Sequence, residues 1–206
     1  MRAKIALLST AAALTLALAV PAQATVAMYT LLPFTGASSE VKVTVDDAIM
    51  AGFVTIKAEV VPNPNIGDIR GLFINVNSNP GIGAAHISGA DITNMGFNTS
   101  NARGMNSNSA APFDIALEIG TSGMSPDDIQ TTTVKINNFG GSLTTANFTD
   151  FGVRLTSVGL PGGDRSGSSK LTIGGTEPPT VPEPGTLALL GLGLAGVAAR
   201  RRKRSS

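Results

Sequence analysis

The chain has 206 residues with 15 Lys and Arg, 14 Asp and Glu, one His, no Cys and no Trp, and a net charge of +1. Without cysteine there is no disulfide framework, thiol nucleophile or thiolate metal site. The near-neutral total hides a division: the middle of the chain carries Lys42, Lys57, Arg70, Arg103, Lys135, Arg154, Arg165 and Lys170 against thirteen acids, and with no basic patch interleaved with aromatics it excludes nucleic acid as a partner.

The chain opens on a basic Met1-Arg-Ala-Lys4, continues with an Ala-, Leu- and Val-rich stretch from Ile5 to Val20, and reaches a small-x-small pattern at Pro21-Ala-Gln-Ala24. That order is a secretory signal peptide over 1–24 with cleavage after Ala24. The following 25–173 is long enough for one domain with a real core.

From there the sequence alternates with period two. A first strand is predicted over Val26 to Phe34. In Glu40 to Asp46 the valines 41, 43 and 45 share one face, and Val54, Ile56, Ala58 and Val60 do so in the next run. Leu72, Ile74 and Val76 oppose Phe73 and Asn75; Phe113, Ile115, Leu117 and Ile119 oppose Asp114 and Glu118; Val134 and Ile136 flank Lys135. Phe151, Val153 and Leu155 oppose Arg154 and Thr156, and a short Leu171-Thr-Ile173 closes the series. Turn-forming Asn, Gly, Ser and Pro separate these runs, as at 62–67 and 160–164. About eight such strands predict an all-β fold, an antiparallel β-sandwich for which jelly-roll and immunoglobulin-like arrangements both fit. One helical turn is expected at Ser125-Pro-Asp-Asp-Ile-Gln130, where a capping serine precedes proline and two acids. The Asn/Gly/Ser-rich span 77–111 is too long for a plain loop, so short strands are expected within 84–92. Residues 174–180 read as a linker.

Catalytic chemistry finds little footing. His86 is the only histidine and no Gly-x-Ser-x-Gly elbow exists, so the domain is read as no enzyme and His86 as an ordinary loop or strand residue. Calcium is the one cofactor considered: the loop carboxylates Asp127, Asp128 and Asp164 lead the candidates, with Asp46, Asp47 and Asp150 behind them. No EF-hand loop or Gly-Gly-x-Gly-x-Asp repeat supports it. For sugar stacking there is only Tyr29, with Phe97 and Phe148 as exposed substitutes.

The last segment, 181–206, has three parts in order: Pro182-Glu183-Pro184, an uncharged run from Leu187 to Ala199, and the cluster Arg200, Arg201, Arg202, Lys203, Arg204. Two prolines hold Glu183 on a stiff, helix-free segment. Thirteen apolar residues would span about 20 Å as a helix against a hydrocarbon core of about 30 Å, and the basic cluster would stay on the cytoplasmic side. The arrangement resembles the PEP-CTERM sorting signal of exported proteins of Gram-negative bacteria. That resemblance implies a short transmembrane sorting helix, an exosortase-type membrane protease as partner, contact with the membrane during sorting, and delivery to the cell surface or the exterior. It further implies an association with extracellular polysaccharide, as in a biofilm. It assigns no chemistry to 25–173. The function read from the sequence is therefore a structural surface or matrix protein, the alternative being a calcium-dependent or glycan-binding adhesin.

Overall fold

The computed structural model describes residues 26–102, 105–106, 112–121 and 127–176. The signal peptide, the 177–180 part of the linker, the Pro182-Glu183-Pro184 motif with its apolar run, and the Arg200–Arg204 cluster lie outside the described residues. No helix among the described residues is long and apolar enough to cross a membrane.

Each alternating run forms a strand: β1 (Val26–Gly36), β2 (Glu40–Asp46), β3 (Phe53–Val61), β4 (Ile66–Val76), β5 (Ile87–Ser88), β6 (Ile92–Thr99), β7 (Asn101–Ala102), β8 (Met105–Asn106), β9 (Phe113–Ile119), β10 (Thr131–Asn137), β11 (Phe148–Gly159) and β12 (Gly167–Thr176). Three single 3-10 turns, at 84–86, 139–141 and 145–147, are the only helical pieces among the described residues. Ten strands join one antiparallel sheet in the order β5-β10-β3-β2-β1-β12-β11-β4-β9-β6, and β7 and β8 form a separate pair. The sheet nearly closes on itself. Its two outermost strands, β5 and β6, are consecutive in the chain and are joined only by residues 89–91, a link that reaches no more than about 14 Å. Asp91 spans the remaining seam, its Oδ2 accepting from Thr132 Oγ1 at 2.8 Å and its carbonyl from Gly120 N at 2.7 Å.

One apolar core fills the curl, drawing on β2 (Val41, Val43, Val45), β3, β4 (Ile69, Leu72, Ile74), β9, β10 and β11 (Phe151, Val153, Leu155). The alternating faces are as expected on β2, where every second residue is buried. Strand β4 departs from expectation because it is buried on both faces. Phe73, expected on the polar face, packs against Phe113 with ring centroids 5.6 Å apart and Ala116 beside them, a small second cluster. A bulge adds to this: Arg154 and Leu155 face Gly71 and Ile69, which leaves Arg70 as the extra residue of β4.

Two other expectations are corrected and a third is met in part. Residues 127–130, the described part of the expected helical turn, are irregular, with Asp128 in the left-handed region at φ 40 where no helix can continue. Within 84–92 the expected short strand is present as the two-residue β5, preceded by a 3-10 turn, and the longer β6 begins at Ile92. Strand β12 continues to Thr176, which pairs with Tyr29, three residues past Ile173, the expected end of the domain.

Candidate functional site

The antiparallel order sets two ends to the curled sheet. At one end the described chain starts and stops, since Val26 and Thr176 belong to neighbouring strands whose register runs from Tyr29↔Thr176 to Gly36↔Ser169. The opposite end gathers the starts of β4, β10 and β12 and the finishes of β3, β9 and β11, and there most of the buried charge is found.

Asp68 and Arg70 enter it from the start of β4, and Glu118 from the end of β9; all three are buried. Arg70 Nη1 donates to the carbonyl of Ile119, and its Nη2 faces Glu118 Oε1 at 3.8 Å. Asp68 Oδ1 accepts from Ile129 N at 2.9 Å, while its buried Oδ2 has no hydrogen-bond partner. Burial pushes the Asp68 carboxyl up to about 6, against the opposing pull of the Ile129 amide and of Arg70. The segment 127–130 crosses this group: Asp127 Oδ2 accepts from Thr121 N at 2.5 Å, and Asp128 takes the fork of Arg165, whose Nη1 donates to Oδ2 at 2.7 Å and Nη2 to Oδ1. Arg165 Nε also donates to the Ser157 carbonyl at 2.8 Å. The bidentate contact with Arg165 holds the Asp128 carboxyl below the usual carboxylate range.

The calcium candidates thus separate. Asp127 and Asp128 come together beside Asp68, each already bonded. Asp164 sits apart on an exposed turn, where it accepts from Ser166 Oγ at 3.2 Å. At the other end Asp46 Oδ1 caps a turn through Ala48 N and Ile49 N, and Asp47 Oδ2 accepts from Thr145 N at 3.2 Å. Asp150 accepts from Asn75 Nδ2 at 3.2 Å. Among the described residues no three or more His, Cys, Asp and Glu side chains form a group able to hold a metal ion.

The aromatic candidates are also placed. Tyr29 donates its hydroxyl to the Phe148 carbonyl at 2.6 Å and packs at a tilt against Phe151 with centroids 5.0 Å apart. Phe148, expected to be exposed, is fully buried, because the register shift between Phe148 and Asp150 turns its ring inward at the start of β11; Phe97 is half-buried against the core. His86, in the 3-10 turn, accepts from Gly83 N through Nδ1 at 3.1 Å and packs on Phe139 at 4.7 Å, a local structural role.

Sequence reasoning passed over Asp68, Arg70 and Arg165. The signal present was the pair of charges inside the otherwise uncharged run Ile66-Gly-Asp-Ile-Arg-Gly-Leu-Phe73.

Beyond this domain, the family model of the PEP-CTERM protein-sorting motif matches residues 180–203. Comparison with curated proteins and with solved structures gives no match. The tail therefore carries a PEP-CTERM sorting motif, consistent with a substrate of the membrane protein exosortase, and the motif implies export, membrane-associated sorting and delivery to the cell surface.

Proposed function

We propose that the protein is a structural component of the cell surface or extracellular matrix, without enzymatic activity, which is held briefly in the membrane by its tail and then sorted by exosortase. Association with extracellular polysaccharide, as in a biofilm, is part of this proposal. The observation that carries it is the sorting motif at 180–203, which begins four residues after the last strand of an all-β domain. The polar groups support a structural role for the domain: His86 closes its own turn, and Asp68, Arg70, Asp127, Asp128 and Arg165 bond to backbone or to each other. We read the curled sheet as sandwich-like, with β5-β10-β3-β2-β1 facing β12-β11-β4-β9-β6 across one core.

The experiment is intact-mass measurement of the protein recovered from the surface of a host that has the cognate exosortase. A mass ending near Pro184 is expected. A surface form that still carries Arg200 to Arg204 overturns the sorting reading and leaves the tail as a short anchor.

A calcium-dependent or glycan-binding adhesin is the second reading; Asp127 and Asp128 lie beside Asp68, but among the described residues no three acids form a group able to hold a metal ion. Calcium bound only by the fold must raise the melting temperature; an unchanged melting temperature at millimolar calcium removes the calcium-dependent form of this reading.

A further inference from the structure

The outer wall of β1, β12, β11 and β4 carries an arrangement that the fold does not require. Cross-strand register places Thr35, Lys170, Arg154 and Gly71 in one row. Two cations therefore stand directly opposite each other on neighbouring strands, where Cβ atoms lie about 5 Å apart and like charges destabilise the sheet. Among the described residues neither Arg154 nor Lys170 has an ion pair or a hydrogen-bond partner, and both are half-buried. The acid further along the same row, Glu118, is two strands from Arg154 and faces Arg70. The next row on the same face runs Leu32, Thr172, Gly152 and Phe73, so the cations are bordered by a hydroxyl and an exposed leucine toward β1, and by Gly152, buried under the Phe113 ring, toward β4.

We infer that Arg154 and Lys170 form a binding site for an anionic saccharide, a carboxylate-bearing chain that lies along β11 and β12. An oxyanion between them relieves the repulsion of the two cations, and the planar guanidinium of Arg154 presents a two-pronged donor to a carboxylate while Lys170 adds a point charge. Burial already weakens the hold of both side chains on their protons, and Arg154 adds to the effect on Lys170, so each gains from an added negative charge. The surroundings fit a polymer better than a small ion. Toward β12 and β1, Thr172 supplies a hydroxyl for a sugar hydroxyl, and Leu32, 43% exposed, supplies an apolar surface for a ring face. A membrane headgroup fits less well, because the tail leaves from Thr176, about 20 Å further along the strand. The choice of a saccharide rests on the extracellular function proposed above, whereas the cation pair does not, and the mass measurement there and the binding measurement here fail independently.

The test is a titration of the full chain in detergent micelles with oligogalacturonate, followed by backbone amide chemical shifts. These localise binding and keep any contact with the basic tail separate. We expect shifts centred on 152–156 and 168–172, with maltooligosaccharide giving none there. Lys170→Gln and Arg154→Gln should each weaken binding by about fivefold to tenfold, and Lys57→Gln, an equal charge change on β3, should leave it unaltered. Shifts confined to the tail, affinity unchanged in Lys170→Gln, or inorganic phosphate binding at the same amides as tightly as the oligosaccharide would each overturn the assignment.

Discussion

Asp68 shows how one side chain can make the stability of this fold depend on pH. Its carboxyl titrates at about 6 in the folded protein against 3.8 for an unburied one. Because the folded value is the higher, the native state takes up a proton that the unfolded chain does not hold between those values. The stabilising contribution of this group is complete below about pH 4 and is lost as pH rises through about 6, by at most about 3 kcal/mol. Asp68→Asn removes the charge and keeps an oxygen for Ile129 N. We predict that at pH 7.5 the variant melts no lower than the wild type and that its advantage shrinks toward pH 4.5; a constant deficit at every pH would show that the charge itself is needed. The same strand neighbourhood sets two further residues apart. Leu155 is fully buried, so Leu155→Asp should cost several kcal/mol by burying an unpaired charge. Thr156 is half-buried with its Oγ1 shut away from any partner, so Thr156→Val should leave stability unchanged or raise it by up to about 1 kcal/mol. Denaturant melts of the pair decide whether the faces of β11 are as described.

Among the elements, those with one buried face were legible from sequence and those without one were not. On β2 and β10 strict alternation matches burial because the other face meets water. On β4 the outer face is covered too, so Phe73 and Arg70 broke the pattern that had been read from Leu72, Ile74 and Val76. Strand β6, Ile-Thr-Asn-Met-Gly-Phe-Asn-Thr, is half-buried along most of its length and lacks the contrast that period-two reading needs. The candidate site was hidden for a related reason: Asp68 and Arg70 are brought to Asp127, Asp128 and Arg165 by a bulge and by contacts between residues 37 to 61 positions apart, which no local window contains. Arg165 ties the 160–166 turn to the 127–130 segment across that gap. Arg165→Lys keeps the charge but loses the two-pronged contact and one of the bonds to Asp128 or Ser157. We predict a loss of about 1 kcal/mol, smaller at high salt, together with faster amide exchange at 127–130. Unaltered exchange there would show that the segment is held without Arg165, by Asp68, Thr121 and the backbone bonds from Val60 and Ile69.

At the scale of the whole molecule, β1 and β12 lie side by side near the middle of the strand order, so the chain enters and leaves the domain through paired strands. The sorting tail is thereby joined to a hydrogen-bonded strand, and a cut near Pro184 falls at least seven residues beyond the last pairing, Tyr29↔Thr176. Release from the membrane should then leave the domain intact. The same pairing fixes how far the chain can be shortened. The ten-stranded sheet is complete within residues 26–176, so that piece should be soluble and strand-rich by itself; a far-ultraviolet circular dichroism spectrum dominated by helix would contradict the fold. Ending at Ile173 removes the pairs Thr30↔Gly175 and Tyr29↔Thr176 and leaves the start of β1 with β2 alone. Two lost strand pairs at roughly 0.5–1.5 kcal/mol per hydrogen bond predict a melting temperature several degrees lower for 26–173 than for 26–176. A third piece, 26–180, should melt with 26–176, because the ladder ends at Thr176. Equal melting of all three would place the true end of the domain at Ile173, and a marked gain for 26–180 would place it within the tail.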